Sequence, residues 1–341
     1  MGSKVYIILV NYIKFQDTIE CLESIFKSSY KDFQVLVVDN SPDEISAGNI
    51  KEWLNNNYKQ VDTLYKDLVY PLIDAPIPFV YLKETELERA TEIYDVPVVL
   101  VSAVNNGFAA ANNVALKYVL KNATDTSFAW LLNNDTVIDT YAIENLVAFY
   151  KTKHDKAYFI TSKLLFYHQK NKIQAVAGKY NKWTGSSYHI GEGEDDNGQY
   201  DNYQLAEGNY LVGASMFMPY QFMKQAGLMA EDYFLYFEDL DWSMQAVKKG
   251  FKLALQPAAR VYHKEGGTNV TIINNKANKD MPGYYTLVNR VKFTKKWYPL
   301  MLFTVYLGVI FGLVKRILQG KTAVVKKACF ALMNTDKLIR Y

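Results

Sequence analysis

The chain has little of what holds small secreted scaffolds or zinc modules together. It contains two cysteines, Cys21 and Cys329, far apart in 341 residues, and four histidines. No disulfide framework or metal-site spacing can be built from these, so a reducing compartment is the default expectation. A secretory leader is not expected either. The apolar run at 5–10 is too short for a leader's apolar core, and no small-residue cleavage site follows it. Net charge is only +3, too small to argue for a nucleic-acid partner. No internal repeat is visible. The sharpest absence is local: residues 281–335 hold no Asp or Glu, but nine Lys or Arg between Arg290 and Lys327.

What is present reads as globular. Half the residues are hydrophobic and 21% are charged, and the length suits one large domain with an appendage. Tyrosine is abundant, at 27 residues; its flat apolar body with a hydroxyl suits sugar or membrane-interface contacts. VYIILV (5–10) is a continuous apolar run, as in a strand covered on both faces. Residues 17–28 place Ile19, Leu22, Ile25 and Phe26 on one helical face, and FQVLVVDN (33–40) is a second buried strand. This βαβ opening predicts an α/β fold with a mostly parallel sheet. VPVVLVSA (96–103), FAWLLNND (128–135) and YLVGASMFM (210–218) are further strands. Helices are expected at 108–120, at 140–150, and at 239–249 closed by Gly250. Residues 41–97 read as an insertion between sheet strands, with helical stretches near 50–57 and 84–92. Residues 178–204 read as a hairpin or long loop.

Three strands end in polar residues: Asn11 with Tyr12, Asp39 with Asn40, and Asn133-Asn134-Asp135. Ligands of open parallel sheets bind outside the carboxyl ends of the strands, where a carboxylate can accept a hydrogen bond from a base N–H. Each ending alone is equally well a turn; three on one edge argue for a pocket. A carboxylate at Asp135, with Asn133 as a weak or indirect neutral ligand, also suits Mg²⁺ or Mn²⁺, which take oxygen ligands and keep several waters. Such a cation lowers the cost of releasing a diphosphate. In FLYFEDLDW (234–242), Glu238, Asp239 and Asp241 cluster at a helix start. Acids there favour the helix dipole, yet a positioned carboxylate can also accept the proton of an attacking sugar hydroxyl. Phe234, Tyr236, Phe237 and Trp242 suggest an aromatic wall beside it. His263 alone is as well read as structural.

The stretches VYIILVNY, VLVVDNS, NNGFAAANN, FAWLLNND, LVGASMFM, FLYFEDLDWSMQAVKKGFKL and VYHKEGGT run in order over residues 4–268. Together they resemble the inverting glycosyltransferases of family 2, with the GT-A fold, especially the rhamnosyltransferase-like branch. The resemblance implies a Rossmann-like, mixed but mostly parallel sheet flanked by helices. It assigns Asp239 as catalytic base, with Glu238 and Asp241 as an acid cluster near it. Asn11, Tyr12, Asp39, Asn40, Asn106, Gly107 and Asn133 would bind the nucleotide. Gly213, Ala214 and Trp242 would form the donor and acceptor wall, and Asp135 with His263 would hold the metal. Two departures from the family pattern stand out: Asn133 replaces the first Asp of the DxD motif, and Ala110 and Ala111 replace glycines.

The expected organisation is a catalytic domain at 1–275, its nucleotide half about 1–135 and its acceptor half about 136–275, followed by a basic amphipathic helical extension at 276–341. LMLFTVYLGVIFGLV (300–314) carries no charge. As a helix it reaches only about 22 Å, short of a hydrocarbon core of roughly 30 Å. Its aromatic and cationic flanks suit the headgroup region of an anionic leaflet, so a membrane partner is expected through residues 290–330, on the cytoplasmic face. The expected function is transfer of a sugar from a nucleotide-diphosphate donor (dTDP-rhamnose or a UDP-sugar) to a hydroxyl of a polysaccharide or lipid-linked glycan. The alternative is a catalytically weak or inactive membrane-associated scaffold. A nucleotidyltransferase is disfavoured because NYIKFQD, after the first strand, lacks the glycines of a phosphate loop.

Overall fold

The computed structural model describes residues 3–91, 93–155, 157–264, 280–334 and 340. The expected domain boundary near 275 and the EGGT end of the last motif lie outside them.

The apolar runs form the strands their composition predicts. β1 (Val5–Asn11), β2 (Phe33–Asp39), β4 (Val98–Ser102) and β5 (Phe128–Asn133) are parallel neighbours, in the order β4-β2-β1-β5. Residues alternate between the two faces of each strand: Val5, Ile7 and Leu9 enter one core, Tyr6 and Ile8 the other. Helix α1 (Phe15–Phe26) covers the first face with Ile19, Leu22 and Ile25, and α5 (Phe108–Asn122) covers the second with Val114, Ala115 and Leu116. Full burial of such a Leu or Ile contributes about 1.5–3 kcal/mol. Ala111, one of the two departures from glycine, is in this helix and packs into the second core.

The sheet continues through β12 (Ser215–Pro219), β7 (Tyr158–Phe166), β13 (Lys252–His263) and β6 (Thr136–Ile138), with β8 (Gln169–Ala175) paired to β7. β12 runs antiparallel to both β5 and β7, and β13 runs parallel to β7. The expected α/β fold is therefore present, mixed in its second half.

Residues 41–97 are more than an insertion. They contain α2 (Ile45–Leu54), and residues 79–83 form an edge strand, β3 (Phe79–Lys83), parallel to β4. FVYLK is half-buried and shows no clean alternation, so only the unpaired edge of β4 reveals it as a strand. The expected strand at 210–218 is split. Asn209–Tyr210 (β11) joins a small second sheet with β9 (Ala177–Asn181) and β10 (Ser186–Ile190), and 211–214 turn back into β12. The β9–β10 pair is the hairpin expected within 178–204.

The C-terminal segment forms helices Met281–Trp297, Leu302–Leu318 and Thr322–Met333. The second packs Val305 and Val309 against Leu287 and Val291 of the first. Its other face leaves Phe303, Leu307, Ile310, Phe311, Val314 and Leu318 exposed. The stretch Pro299–Leu318 is long and apolar enough to cross a membrane by length and composition, with 17% of it buried.

Candidate active site

Register brings the three polar strand ends together: Asn11 lies beside Asp39 on β2, and Val10 beside Asn133 on β5. Asn11, expected in the pocket, is instead fully buried behind it. Its amide donates to Asp39 Oδ1 at 2.7 Å, while its oxygen accepts from Thr18 Oγ1 at 2.8 Å and Asn134 Nδ2 at 3.3 Å. Asp39 Oδ1 also takes Ser41 N–H and Ser41 Oγ–H, at 3.2 and 2.6 Å. Burial pushes the Asp39 carboxyl above its ordinary range, and the Ser41 and Asn11 donors oppose that. From the ends of β1 and β2 the cavity is lined by Val10, Tyr12 and Asn40, and not by Asp39, which was expected to contact the nucleobase. Asn40 Oδ1 is buried without a hydrogen-bond partner among the described residues.

The turn after β5 carries the candidate metal ligands. His263, at the end of β13, is brought beside it because β13 pairs with β6, with His263 opposite Thr136. His263 Nε2 stands 3.0 Å from Asp135 Oδ1 and 3.2 Å from Asn133 Nδ2. Its Nδ1 is 2.8 Å from Gln174 Oε1, an acceptor, so Nδ1 carries a hydrogen. The Nε2 of a neutral ring then accepts from the Asn133 amide and also faces the Asp135 carboxylate, a place where a cation would relieve the repulsion between the two lone pairs. Asn133 Oδ1 is buried and unpartnered among the described residues. A carboxylate oxygen and an imidazole nitrogen thus meet at one place, with the Asn133 amide beside them, and such a pair fits a divalent cation completed by phosphate oxygens and water. Among the described residues no three His, Cys, Asp or Glu side chains form such a cluster; the third donor here is an amide. Gln174, the orienting partner, carried no sequence signal.

The start of α8 (Glu238–Lys248) borders the same cavity. Asp239 at its start accepts from Gly213 N–H at 3.0 Å and from Leu240 N–H at 2.8 Å. Burial raises its carboxyl above the ordinary aspartate range; those two N–H donors and nearby His189 act against the rise. Burial and the adjoining Asp239 charge push Glu238 up to about 8, and Glu238 Oε2 is buried without a partner among the described residues. Gly213 lies against this side chain: a Cβ there would make ordinary contact with that of Asp239, at 3.4 Å. Gly213 and Ala214 line the cavity as expected in place, but on a turn instead of a strand.

The segment leading into α8 is strained. Phe234, Tyr236 and Phe237 have φ of 65°, 65° and 77°, a region that costs non-glycine residues of order 1–3 kcal/mol each. The side-chain amide of Asn289 holds it, donating to the carbonyls of Tyr233, Leu235 and Tyr236 at 3.0, 2.8 and 3.0 Å. Gly107, with φ +101°, permits close approach on the other side, since a Cβ there would lie 2.4 Å from Phe234 O.

Several expectations change. Asn105, not Asn106, lines the cavity; Asn106 Oδ1 accepts from Arg340 Nη2 at 2.7 Å instead. Trp242 is no wall residue. On α8 it faces away from the cavity into the second core, against Phe159 and Phe222, and its Nε1 donates to Gly227 O at 3.0 Å. Asp241 also turns away, accepting from Tyr233 Oη and Trp297 Nε1 and pairing with Lys296 at 2.7 Å. At 3.6 residues per turn, consecutive acids cannot all face one cavity. Sequence reading missed Ser187, His189 and Tyr210, which the small sheet brings to the cavity. The Tyr210 ring lies flat on Gly178, where a Cβ would stand 2.0 Å from its Cζ.

Asp135, His263, Glu238 and Asp239 line one cavity of about 620 Å³, together with Asn40, Tyr12, and Met281 and Thr286 of the C-terminal helix. No curated protein matches the chain. Among solved structures, GalNAc-T7 with UDP, GalNAc and Mn²⁺ is similar at TM-score 0.53 and 14% identity, over 87% of this chain and 48% of that one. TarS of S. aureus gives TM-score 0.45 and 14% identity over 84% and 39%. The mannosyltransferase PcManGT of Pyrobaculum calidifontis, with GDP-Man and Mn²⁺, gives 0.49 and 13% over 96% and 80%. The chain thus spans under half the length of the first two, and the GalNAc-T7 likeness establishes the shared GT-A fold. The model of the family "Glycosyltransferase like family 2" matches residues 79–279, more than half of the chain. The chain therefore belongs to glycosyltransferase-like family 2.

Proposed function

We propose that the chain is an inverting, metal-assisted transferase that moves a sugar from a nucleoside-diphosphate donor to a hydroxyl of a glycan acceptor. The donor is dTDP-rhamnose, as in the rhamnosyltransferase-like branch, or a UDP-sugar; the acceptor is a polysaccharide or lipid-linked glycan. The observation that supports this reading is that Asp135, His263 and Asp239, far apart in the chain, line one cavity.

In this reading Asn40, Tyr12 and Asn105 border the nucleoside, with Asp39 and Asn11 holding Asn40 in place from behind. Asp135 and His263, with Asn133 as a weak or indirect ligand, would hold Mg²⁺ or Mn²⁺, which would supply positive charge against the leaving diphosphate. The GalNAc-T7 neighbour, solved with UDP and Mn²⁺, is consistent with ligands of this class. Asp239 accepts the proton of the acceptor hydroxyl as its oxygen forms the bond to the anomeric carbon. The bond from that carbon to the phosphate oxygen breaks, and the nucleoside diphosphate leaves with the electron pair. Attack from the face opposite the leaving group inverts the centre. The N–H groups of Gly213 and Leu240 fix the carboxylate's orientation.

The exposed stripe of helix Leu302–Leu318, in a segment without acids, supports peripheral attachment to the cytoplasmic face of a membrane. Residues 1–275 form the catalytic unit and 276–341 the membrane-facing one, with Met281 and Thr286 shared between them. The test is a thermal-shift panel of nucleotide sugars with and without Mn²⁺, followed by nucleoside-diphosphate release. One donor should stabilise the protein only with metal and be turned over. Silence across all common donors would instead favour the scaffold.

A further inference from the structure

A second cavity, of about 290 Å³, opens beside the C-terminal helices, away from the candidate catalytic groups. Its walls are Asp280, Gly283, Lys315, Arg316, Gln319 and Lys321. Lys321 is paired with Asp280 at 2.5 Å, which leaves Lys315 and Arg316 as uncompensated positive charge among the described lining residues. Arg316 is held in place rather than waving in solvent. Its Nη1 donates to Gly312 O at 3.1 Å and its Nη2 to Gly283 O at 3.4 Å. The guanidinium lies directly on Gly283, where a Cβ would stand 2.8 Å from Nη2. Two carbonyl contacts leave most of its five N–H donors available, and a planar fork of this kind matches phosphate oxygens.

Two neighbours define what such an anion would belong to. Val314, Ile317 and Leu318, 47%, 51% and 83% exposed, flank the cations and end the apolar stripe of helix Leu302–Leu318. The anion therefore sits where an acyl or prenyl chain can lie on the same helix. On the other side, Asp280 and Gly283 face this cavity while Met281 and Thr286, from the same turns of helix Met281–Trp297, face the catalytic one.

We propose that this cavity binds the phosphate of a lipid ester, with the hydrocarbon on the adjoining stripe and the headgroup side directed toward the catalytic cavity. This rests on the membrane reading given above and adds to it a defined phosphate subsite. The ligand has two sources of the same chemistry: a bulk anionic phospholipid, or the phosphate that links an acceptor glycan to its lipid.

The test uses the full chain in vesicle co-flotation. Three vesicle types are compared: phosphatidylcholine alone, the same with phosphatidylglycerol, and the same with undecaprenyl phosphate at equal charge density. Lys315→Gln/Arg316→Gln removes the cavity cations; Lys326→Gln/Lys327→Gln removes as much charge from the next helix, outside the cavity. Juxtamembrane cations contribute roughly fivefold each to anionic-vesicle binding. The cavity pair should lose at least fivefold more than the control pair, and Lys315→Gln alone should show the same direction if the double variant folds poorly. Loss on both anionic vesicles assigns a bulk phospholipid, and loss confined to undecaprenyl phosphate assigns the acceptor's lipid. Equal losses for the two pairs overturn the subsite while leaving membrane attachment standing. Absence of flotation with every vesicle overturns both. Donor hydrolysis in the absence of vesicles, measured on the same variants, reports on the catalytic reading separately and should be unchanged.

Discussion

Asn289, on a helix that follows the last strand, donates its side-chain amide to the carbonyl of Tyr236 at 3.0 Å, and Tyr236 is one of three non-glycine residues held left-handed just ahead of Asp239. The same nitrogen reaches Tyr233 and Leu235. One buried side chain therefore offsets the strain of the segment that aims the candidate base. Asn289→Ala should cost about 1–3 kcal/mol and lower kcat by tenfold or more, because the segment relaxes. A thermal melt and steady-state kinetics check this; a destabilised variant with unchanged kcat would refute a positioning role.

Asp239→Asn keeps the shape of the side chain and removes its proton-accepting power. Transfer should fall by about 10²–10⁴, with donor affinity by isothermal titration within a factor of a few. Loss of donor binding as well would count against Asp239 as base. Because burial holds this carboxyl above the usual aspartate range, the acidic limb of kcat/KM should fall at a higher pH than for a free aspartate.

Asp135→Ala and His263→Ala should each remove the metal dependence of donor binding together with activity. Gln174→Leu should weaken metal affinity by about 10–100-fold, as loss of a partner that orients a ligating histidine does. Titration of Mn²⁺ in the presence of nucleoside diphosphate measures both; unchanged affinity in Asp135→Ala would dismiss the ligand assignment.

Glu238 is protonated in the folded chain up to about pH 8, because burial and Asp239 disfavour its charge. An unfolded glutamic acid ionises near pH 4.3. Its contribution to stability is fully present below that value and declines as pH rises toward 8. Glu238→Gln should therefore raise Tm at pH 8–9 by about 2 °C or more, and change it far less at pH 5. A Tm difference independent of pH would show that the carboxyl is charged in the fold.

Trp242 belongs to the core, so Trp242→Phe should act on stability and spare kinetics. The loss of its bond to Gly227 O should cost about 1 kcal/mol, read from denaturant unfolding. A change in KM for the donor greater than the loss of folded protein would restore it to the pocket.

Much of the fold was legible because its signals are local. β1, β2 and β5 are continuous apolar runs ending in polar residues, and that pattern states both burial and the edge where ligands bind. Gly250 ends α8 by the left-handed conformation its φ of +87° shows. β3 was not legible, because an edge strand is defined by the neighbour that pairs with it. Asn11 and Asp39 were expected to line the nucleotide pocket, and only packing shows that Asn40 lines the cavity in their place, its N–H held by Asn11 O at 2.8 Å.

The amino-acid order alone determined the parallel sheet, the family and the chemical types available at the strand ends, since periodicity and polar punctuation are carried by neighbours in the chain. Which carboxylates face the cavity, and which face Lys296 or the core, was decided by tertiary structure. A helix turns each successive side chain by about 100°, and Ser187, His189, Tyr210 and Asn289 reach the site only once the small sheet and the C-terminal helix have closed over it.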